Sequence, residues 1–364
     1  MEQKVLLKGN EAMAEAAVQA GCRFFAGYPI TPQNEVPEYL SWRLPQAGGV
    51  FVQAESEIAA INMIFGSAAA GARSMTSSSS PGVSLKQEGI SYIAAAELPC
   101  VIANVQRGGP GLGNIRASQS DYFQSVKGGG HGDYKLIVLA PAYVQELYDL
   151  TMHAFDWADL YRMPVMILSD GILGQIAEPL ELTPYKPVAK PAEKEYILDG
   201  CAGRAPRVVK TLILNPPDGL VHHNDHLQEK YRRIERELSL WEEYETDDAD
   251  IIVAAYGMCG RIAKGAVRRA RQKGIKAGLI RPITLWPLPT AALATAAHKA
   301  DRILVVEMSC GQFVEDVRLA TECAVPVEFY GKGGGWYPLD TDILAKIEAM
   351  QSGLSDICAA RKGS

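Results

Sequence analysis

No CxxC pair occurs anywhere in the sequence. Its seven cysteines (Cys22, Cys100, Cys201, Cys259, Cys310, Cys323, Cys358) are odd in number and widely scattered. That pattern speaks against a disulfide framework and against a zinc or iron–sulfur site built from local pairs. Free thiols in a reducing compartment are the simpler reading. No window approaches the ~18 apolar residues that span a bilayer, and Met1-Glu2-Gln3-Lys4-Val5-Leu6-Leu7 lacks the apolar run of a signal peptide. A cytoplasmic protein without membrane contact is expected. No stretch is basic enough to leave a nucleic-acid footprint, and a formal net charge of −6 favours solubility only.

What remains is an ordinary globular composition, 48% hydrophobic and 21% charged over 364 residues, for which two domains are the natural division. The chain alternates apolar strands with helices. Arg23-Phe24-Phe25-Ala26-Gly27-Tyr28, Gly49-Val50-Phe51-Val52-Gln53, Ser74-Met75-Thr76-Ser77, Pro99 to Val105, Lys135 to Ala140 and Pro164 to Ser169 read as strands. The Ala-rich run from Asn10 to Ala20 and the small-residue segment Glu57 to Ala72 read as helices. This alternation predicts a parallel sheet with helices on both faces. From about Pro179 prolines cluster, and a charged segment, Leu227 to Glu245, predicts one exposed helix with a solvated face. The pattern resumes at Asp250 with strands near Ala277, Arg302 and Val325. The expected fold class is α/β with two doubly wound parallel-sheet domains, residues 1–190 and 249–364, joined by a connector over 191–248.

Four loops follow strand ends in the first domain, the edge where doubly wound sheets bind ligands. They are Tyr28-Pro29-Ile30-Thr31-Pro32, Glu55-Ser56-Glu57, Thr76 to Gly82, and Gln106 to Asn114. Arg107 precedes a glycine-rich loop, where a guanidinium can grip a carboxylate or phosphate with two parallel bonds; an arginine there is also often just exposed. The run Gly109-Pro110-Gly111-Leu112-Gly113 matches neither dinucleotide nor phosphate-loop patterns. Glu57 opens an apolar helix. The helix dipole alone explains a carboxylate at that place, yet beside Ile58, Ala59, Ala60 and Ile61 it loses solvation and can hold or share a proton. Glu55 can point to solvent. His131 lies in a flexible glycine loop, and His222-His223-Asn224-Asp225-His226 lies in the connector; both read as exposed rather than as metal ligands.

Tyr28-Pro29-Ile30-Thr31-Pro32, Ser74-Met75-Thr76, Val105 to Asn114 and Gly128 to Tyr134 together resemble the alpha subunit of 2-oxoacid:ferredoxin oxidoreductases, closest to the branched-chain (3-methyl-2-oxobutanoate, or 2-ketoisovalerate) type. Leu227 to Glu235 and Gly333-Gly334-Gly335-Trp336-Tyr337-Pro338 fit as well, so nearly the whole chain is covered. The resemblance implies a thiamine diphosphate pyrimidine-binding domain followed by a domain like the C-terminal domain of transketolase. It implies an enzyme of anaerobic metabolism that is active only with partners. A beta subunit binds the diphosphate and magnesium and carries a [4Fe-4S] cluster, gamma and ferredoxin-like delta subunits complete the complex, coenzyme A accepts the acyl group, and ferredoxin takes the electrons. Glu57 matches the glutamate that bonds the aminopyrimidine N1′. Tyr28, Pro29 and Ile30 flank the cofactor, and Thr31 and Arg107 match the residues that hold the 2-oxoacid carboxylate. The diphosphate motif, Gly-Asp-Gly with a downstream Asn, is lacking; Ser169-Asp170-Gly171 comes nearest. In Ile115-Arg116-Ala117-Ser118 the sequence departs from the branched-chain pattern, and Arg116 adds a positive charge near the substrate. That keeps open a 2-oxoglutarate:ferredoxin oxidoreductase alpha subunit; a separate alternative is a non-catalytic scaffold subunit of the same fold, against which Glu57 with Thr31 and Arg107 discriminates.

Overall fold

The computed structural model describes residues 4–190, 193–210 and 218–362. The first half contains β1 (Lys4–Lys8), α1 (Gly9–Gln19), β2 (Phe24–Gly27), α2 (Glu35–Gln46), β3 (Val50–Gln53), α3 (Glu57–Ala69), β4 (Ser74–Ser78) and α4 (Pro81–Ala95). It continues with β5 (Cys100–Gln106), α5 (Tyr122–Val126), β6 (Ile137–Leu139), α6 (Val144–Tyr161), β7 (Pro164–Asp170), α7 (Gly171–Gln175) and β8 (Ala177–Glu181). Next come α8 (Gly219–Glu237), β9 (Trp241–Tyr244), β10 (Ile251–Ala254), α9 (Gly257–Gln272), β11 (Ala277–Pro282) and β12 (Thr284–Trp286). The remaining elements are α10 (Thr290–Lys299), β13 (Arg302–Glu307), α11 (Phe313–Ala320), β14 (Val327–Gly331) and α12 (Asp340–Lys362).

Two mainly parallel sheets result, as the α/β alternation predicts. The larger has the order β12-β6-β7-β5-β4-β2-β3 and the smaller β14-β13-β10-β11-β9. At the centre of the larger sheet β5 and β7 pair over seven residues, Cys100↔Pro164 to Gln106↔Asp170. Every residue of both is buried, which is why each holds a consecutive apolar run, Cys100–Ala103 and Pro164–Leu168, rather than an alternating pattern. The strand β4 is equally buried but polar, Ser-Met-Thr-Ser-Ser. Its hydroxyls must therefore find partners inside the protein.

Several elements differ from expectation. The charged helix begins at Gly219 and stops at Glu237, and its face is not purely solvated. Leu227, Tyr231 and Ile234, at i, i+4 and i+7, form a buried stripe, and Tyr231 meets Trp286 edge to face at 5.6 Å. Trp241-Glu242-Glu243-Tyr244, expected to be helical, alternates in and out as β9 and pairs antiparallel with β11. The N-terminal Lys4–Lys8 pairs with β8 as a separate two-stranded ribbon. The short β12 leaves its neighbours in sequence to pair antiparallel with β6 of the other sheet.

Side chains clasp the two sheets together. The Gln119 amide donates to Tyr256 O at 2.9 Å and accepts from Met308 N at 2.9 Å. Arg281 makes a two-pronged bond to Glu146 at 3.0 and 2.8 Å. Tyr122, Tyr256 and Phe313 pack as an aromatic trio between them. Among the described residues no helix is long and apolar enough to cross a membrane.

Candidate active site

Strands β7, β5, β4, β2 and β3 lie side by side, so the loops at their C-terminal ends line one rim. After β2, the loop Tyr28–Pro32 leaves Tyr28 and Pro29 exposed and Ile30 partly so. Asn34 Nδ2 donates to Thr31 Oγ1 at 3.2 Å. The amide nitrogen is a donor only, so the Thr31 hydroxyl proton stays free to donate elsewhere. After β3, Ser56 caps α3 by accepting from Ala59 N at 3.1 Å. Glu57 is 7% exposed, whereas Glu55 is exposed. The Glu57 carboxylate lies over Gly82 of α4: a Cβ there would stand 2.6 Å from Glu57 Oε1 and would also strike the Ser78 hydroxyl. Only glycine lets the carboxylate settle so close to that backbone. Among the described residues the Glu57 carboxylate accepts no hydrogen bond.

The β4–α4 turn is a buried knot of hydroxyls. Ser77 donates to Gln33 Oε1 at 2.5 Å, and Lys86 donates to Thr76 Oγ1 at 2.6 Å and to Ser77 O at 3.1 Å. Ser80 sits at φ +23°, a costly conformation for a residue with a Cβ. It is held there by bonds from its amide to Asn104 Oδ1 and from its hydroxyl to Asp121, whose carboxyl is pushed above the usual range by burial. The Ser78 and Ser79 hydroxyls are buried without partners among the described residues. Unpaired buried groups are rare and costly, and they mark where a ligand can bond.

After β5, Arg107 is 6% exposed. It donates to Thr31 O and to Leu112 O, each at 2.9 Å, while its buried Nε has no partner among the described residues. The arginine thus ties the Thr31 loop to the glycine-rich loop and keeps donors in reserve. The glycine-rich loop in turn meets Gly333-Gly334-Gly335 from the second half, where Asn114 Nδ2 donates to Gly334 O at 3.0 Å. A Cβ on Gly335, whose φ is +88°, would lie 2.7 Å from Arg116 Cβ. After β7, Asp170 caps α7 by accepting from Ile172 N and Leu173 N. Burial pushes its carboxyl up to about 6. Ser169-Asp170-Gly171 is therefore a helix cap.

A cavity of about 680 Å³ opens between these loops, lined by Thr31, Pro32, Asn34, Glu35, Ile115, Arg116, Ala117, Gly171, Ile172, Gln175 and Tyr337. Arg107 lines a neighbouring one of about 380 Å³ with Ser80, Pro81, Ser84, Gly108 to Gly111 and Asp121. Thr31 and Arg116 thus share a cavity, Arg107 reaches Thr31 through its carbonyl, and Glu57, Tyr28, Pro29 and Ile30 line neither. A larger cavity, about 1060 Å³, lies among Lys127, Arg236, Trp241 and Trp286 and holds none of these residues. His131 is exposed. His223 bonds Ala95 O at 2.8 Å and His226 bonds Glu97 at 3.0 Å. No cluster among the described residues could hold a metal ion.

The sequence pattern described as pyruvate flavodoxin/ferredoxin oxidoreductase, thiamine diphosphate-binding, matches residues 15–243, and that of pyruvate:ferredoxin oxidoreductase core domain II matches residues 249–343. The chain belongs to the 2-oxoacid:ferredoxin oxidoreductase family. Ketoisovalerate oxidoreductase subunit VorB of Methanothermobacter thermautotrophicus is 49% identical over 96% of this chain and 99% of its own length. The 2-oxoglutarate synthase subunit KorA of the same organism is 38% identical over 96% and 100%. Among solved structures, a 2-oxoglutarate:ferredoxin oxidoreductase from Magnetococcus marinus with 2-oxoglutarate, coenzyme A and succinyl-CoA bound superposes with a TM-score of 0.88 at 26% identity, covering 96% of this chain and 65% of that one. A split-gene transketolase shares the fold at a TM-score of 0.59 and 14% identity. The sequence reading of this family member missed Lys86, Asn34, Gln33 and Tyr337. A lysine within an apolar helix was the available signal for Lys86; no local signal marks the other three.

Proposed function

We propose that this chain supplies the pyrimidine side of a thiamine diphosphate site in a multi-subunit enzyme that oxidatively decarboxylates 2-ketoisovalerate to its acyl-CoA and CO2, passing electrons to ferredoxin. The observation that carries the reading is the Glu57 carboxylate, 7% exposed and lying against Gly82, with the unpartnered Ser78 hydroxyl over the same glycine. A carboxylate that accepts no hydrogen bond can take one from a ligand, and a protonated aminopyrimidine nitrogen is such a donor. The residues present fit the cofactor's pyrimidine. Bound thiamine diphosphate supplies the carbanion chemistry that releases CO2.

Glu57 would hold N1′ and share its proton, and Tyr28, Pro29 and Ile30 would flank the ring. The Thr31 hydroxyl and the remaining Arg107 donors would fix the 2-oxo-carboxylate, which every substrate of the class carries. Arg116, exposed at the mouth of the Thr31 cavity, would meet the distal end. In the same reading residues 1–190 and 249–364 are the two α/β domains, with 191–248 between them. A beta subunit would bring the diphosphate site, magnesium and a [4Fe-4S] cluster, with gamma and ferredoxin-like delta subunits completing a cytoplasmic complex; the relatives' names as subunits support partners of some kind.

The 2-oxoglutarate reading rests on one observation, the arginine at the cavity mouth. Glu57→Gln in the complete complex keeps the shape but not the acidic group. Turnover should fall by about 10²–10⁴, the range for a lost positioned acid–base group. Near-normal turnover would remove Glu57 from the mechanism.

A further inference from the structure

The pairing of β4 with β5 ends at Ser78↔Asn104. Beyond it a side chain holds the β5 backbone: Arg107 N donates to the Ser80 hydroxyl at 2.9 Å. That hydroxyl donates in turn to Asp121 Oδ2 at 2.6 Å, closer than its 3.3 Å approach to Arg107 O. A hydroxyl has one proton, so with Asp121 taking it a lone pair is left for the Arg107 amide. Asn104 closes the ring, accepting from Ser80 N at 3.1 Å and donating to the same Asp121 Oδ2 at 3.0 Å. A serine that precedes a helix ordinarily accepts a bond from that helix's first turn; Ser80 precedes α4 and makes no such bond. It is held instead at φ +23°, a conformation that persists only where the surroundings over-determine it. Ser80, Arg107 and Asp121 line one cavity. Asp121 is itself anchored: its amide donates to Gln106 Oε1 at 3.1 Å. Gln312, just before α11, clamps the residues on either side of it, donating to Ser120 O at 2.7 Å and accepting from Phe123 N at 2.8 Å.

We propose that Asp121 is a positioning residue for Arg107: by accepting the Ser80 proton it fixes the hydroxyl that holds the Arg107 peptide, and so sets where the guanidinium meets the 2-oxoacid carboxylate. This rests on the reading of Arg107 above as the group that grips that carboxylate. A negative charge in the cavity that Arg107 lines does not attract an anionic substrate, so Asp121 serves as an acceptor rather than as a charge. Through Gln312 the second half of the chain shares in placing the substrate arginine.

The test is kcat/KM for 2-ketoisovalerate and 2-oxoglutarate in the complete complex carrying Asp121→Ala, Asp121→Asn or Ser80→Gly, each alone and together with Arg107→Ala, with thiamine diphosphate affinity measured beside it. Ser80→Gly removes the hydroxyl at a positive φ that glycine adopts freely, which guards against a variant that fails to fold. Asp121→Ala and Ser80→Gly should lower kcat/KM for both acids alike by about tenfold or more, within the ~10²-fold that a misplacement of about 1 Å costs, with cofactor affinity unchanged. Asp121→Asn should recover most of the wild-type value: Ser80 and Asn104 both donate to one oxygen, so an amide must present its own oxygen there. In the Arg107→Ala background none of the three should lower kcat/KM further. Undiminished losses in that background, a parallel loss of cofactor affinity, or Asp121→Asn as impaired as Asp121→Ala would make Asp121 a general scaffold residue and overturn the proposal. Wild-type kcat/KM in Asp121→Ala and Ser80→Gly, with Arg107→Ala impaired, would overturn it too and leave the reading of Arg107 standing. If Arg107→Ala itself has wild-type kcat/KM, that reading falls, and the role of Asp121 with it.

Discussion

Replacing Arg107 by alanine removes two things at once. The guanidinium has five N–H donors, of which one bonds Thr31 O and one Leu112 O. Three are left for a ligand, including the buried Nε. A charge-assisted bond to a carboxylate contributes about 1.5–3 kcal/mol, roughly one to two decades by the rule of 1.4 kcal/mol per decade. Arg107→Ala should therefore lower kcat/KM for every accepted 2-oxoacid by at least that factor. It also frees the loop that carries Thr31, so the two residues cannot act independently. Thr31→Val alone should cost about 0.5–1.5 kcal/mol, as for a neutral hydroxyl bond. In the Arg107→Ala background it should cost less, with a coupling of about 0.5–3 kcal/mol between neighbours that share a bond. The assay is kcat/KM for 2-ketoisovalerate and 2-oxoglutarate in the two single variants and the double variant, with thiamine diphosphate affinity measured beside it. Lost cofactor affinity with unchanged substrate KM in Arg107→Ala would show that this arginine serves the cofactor and not the substrate.

Arg116→Ala should lower kcat/KM for 2-oxoglutarate and leave 2-ketoisovalerate unchanged; an equal fall for both would make Arg116 merely part of the cavity wall. Lys86 predicts a pH dependence of stability. Its folded value of about 7 lies below the ordinary 10.5, so between these values the unfolded chain holds a proton that the folded chain has released. Stability then rises with pH over that window, with a slope of up to about 1.4 kcal/mol per pH unit. Urea midpoints from pH 7 to 10 should rise in the wild type relative to Lys86→Met, and parallel curves would contradict the burial cost assigned to this lysine.

The parallel architecture was legible because buried strands such as Val101-Ile102-Ala103 and Val165-Met166-Ile167 announce themselves as apolar runs. The burial of Glu57 was legible too, from a lone carboxylate opening an apolar helix. The connector was harder. Charge at helical spacing between Leu227 and Glu245 hid the buried stripe of Leu227, Tyr231 and Ile234, because three apolar residues among many charged ones look like a solvated helix until a partner such as Trp286 covers them. The double duty of Arg107 could not be foreseen, since its bonds go to backbone carbonyls and any residue could supply those. Tyr337 enters the site only through long-range packing: it lies far along the chain from Thr31 and still lines the same cavity.

The three residues of β12 have a consequence for how the molecule can be cut. They come from the second half, yet they close the outer side of β6 in the larger sheet. A fragment ending before residue 249 would keep all the loops of the rim but would leave β6 with a bare row of amide and carbonyl groups, the kind of template on which other chains assemble. It would also leave Glu146 without Arg281. The larger sheet therefore cannot be excised as a soluble reagent without taking Thr284–Trp286 with it.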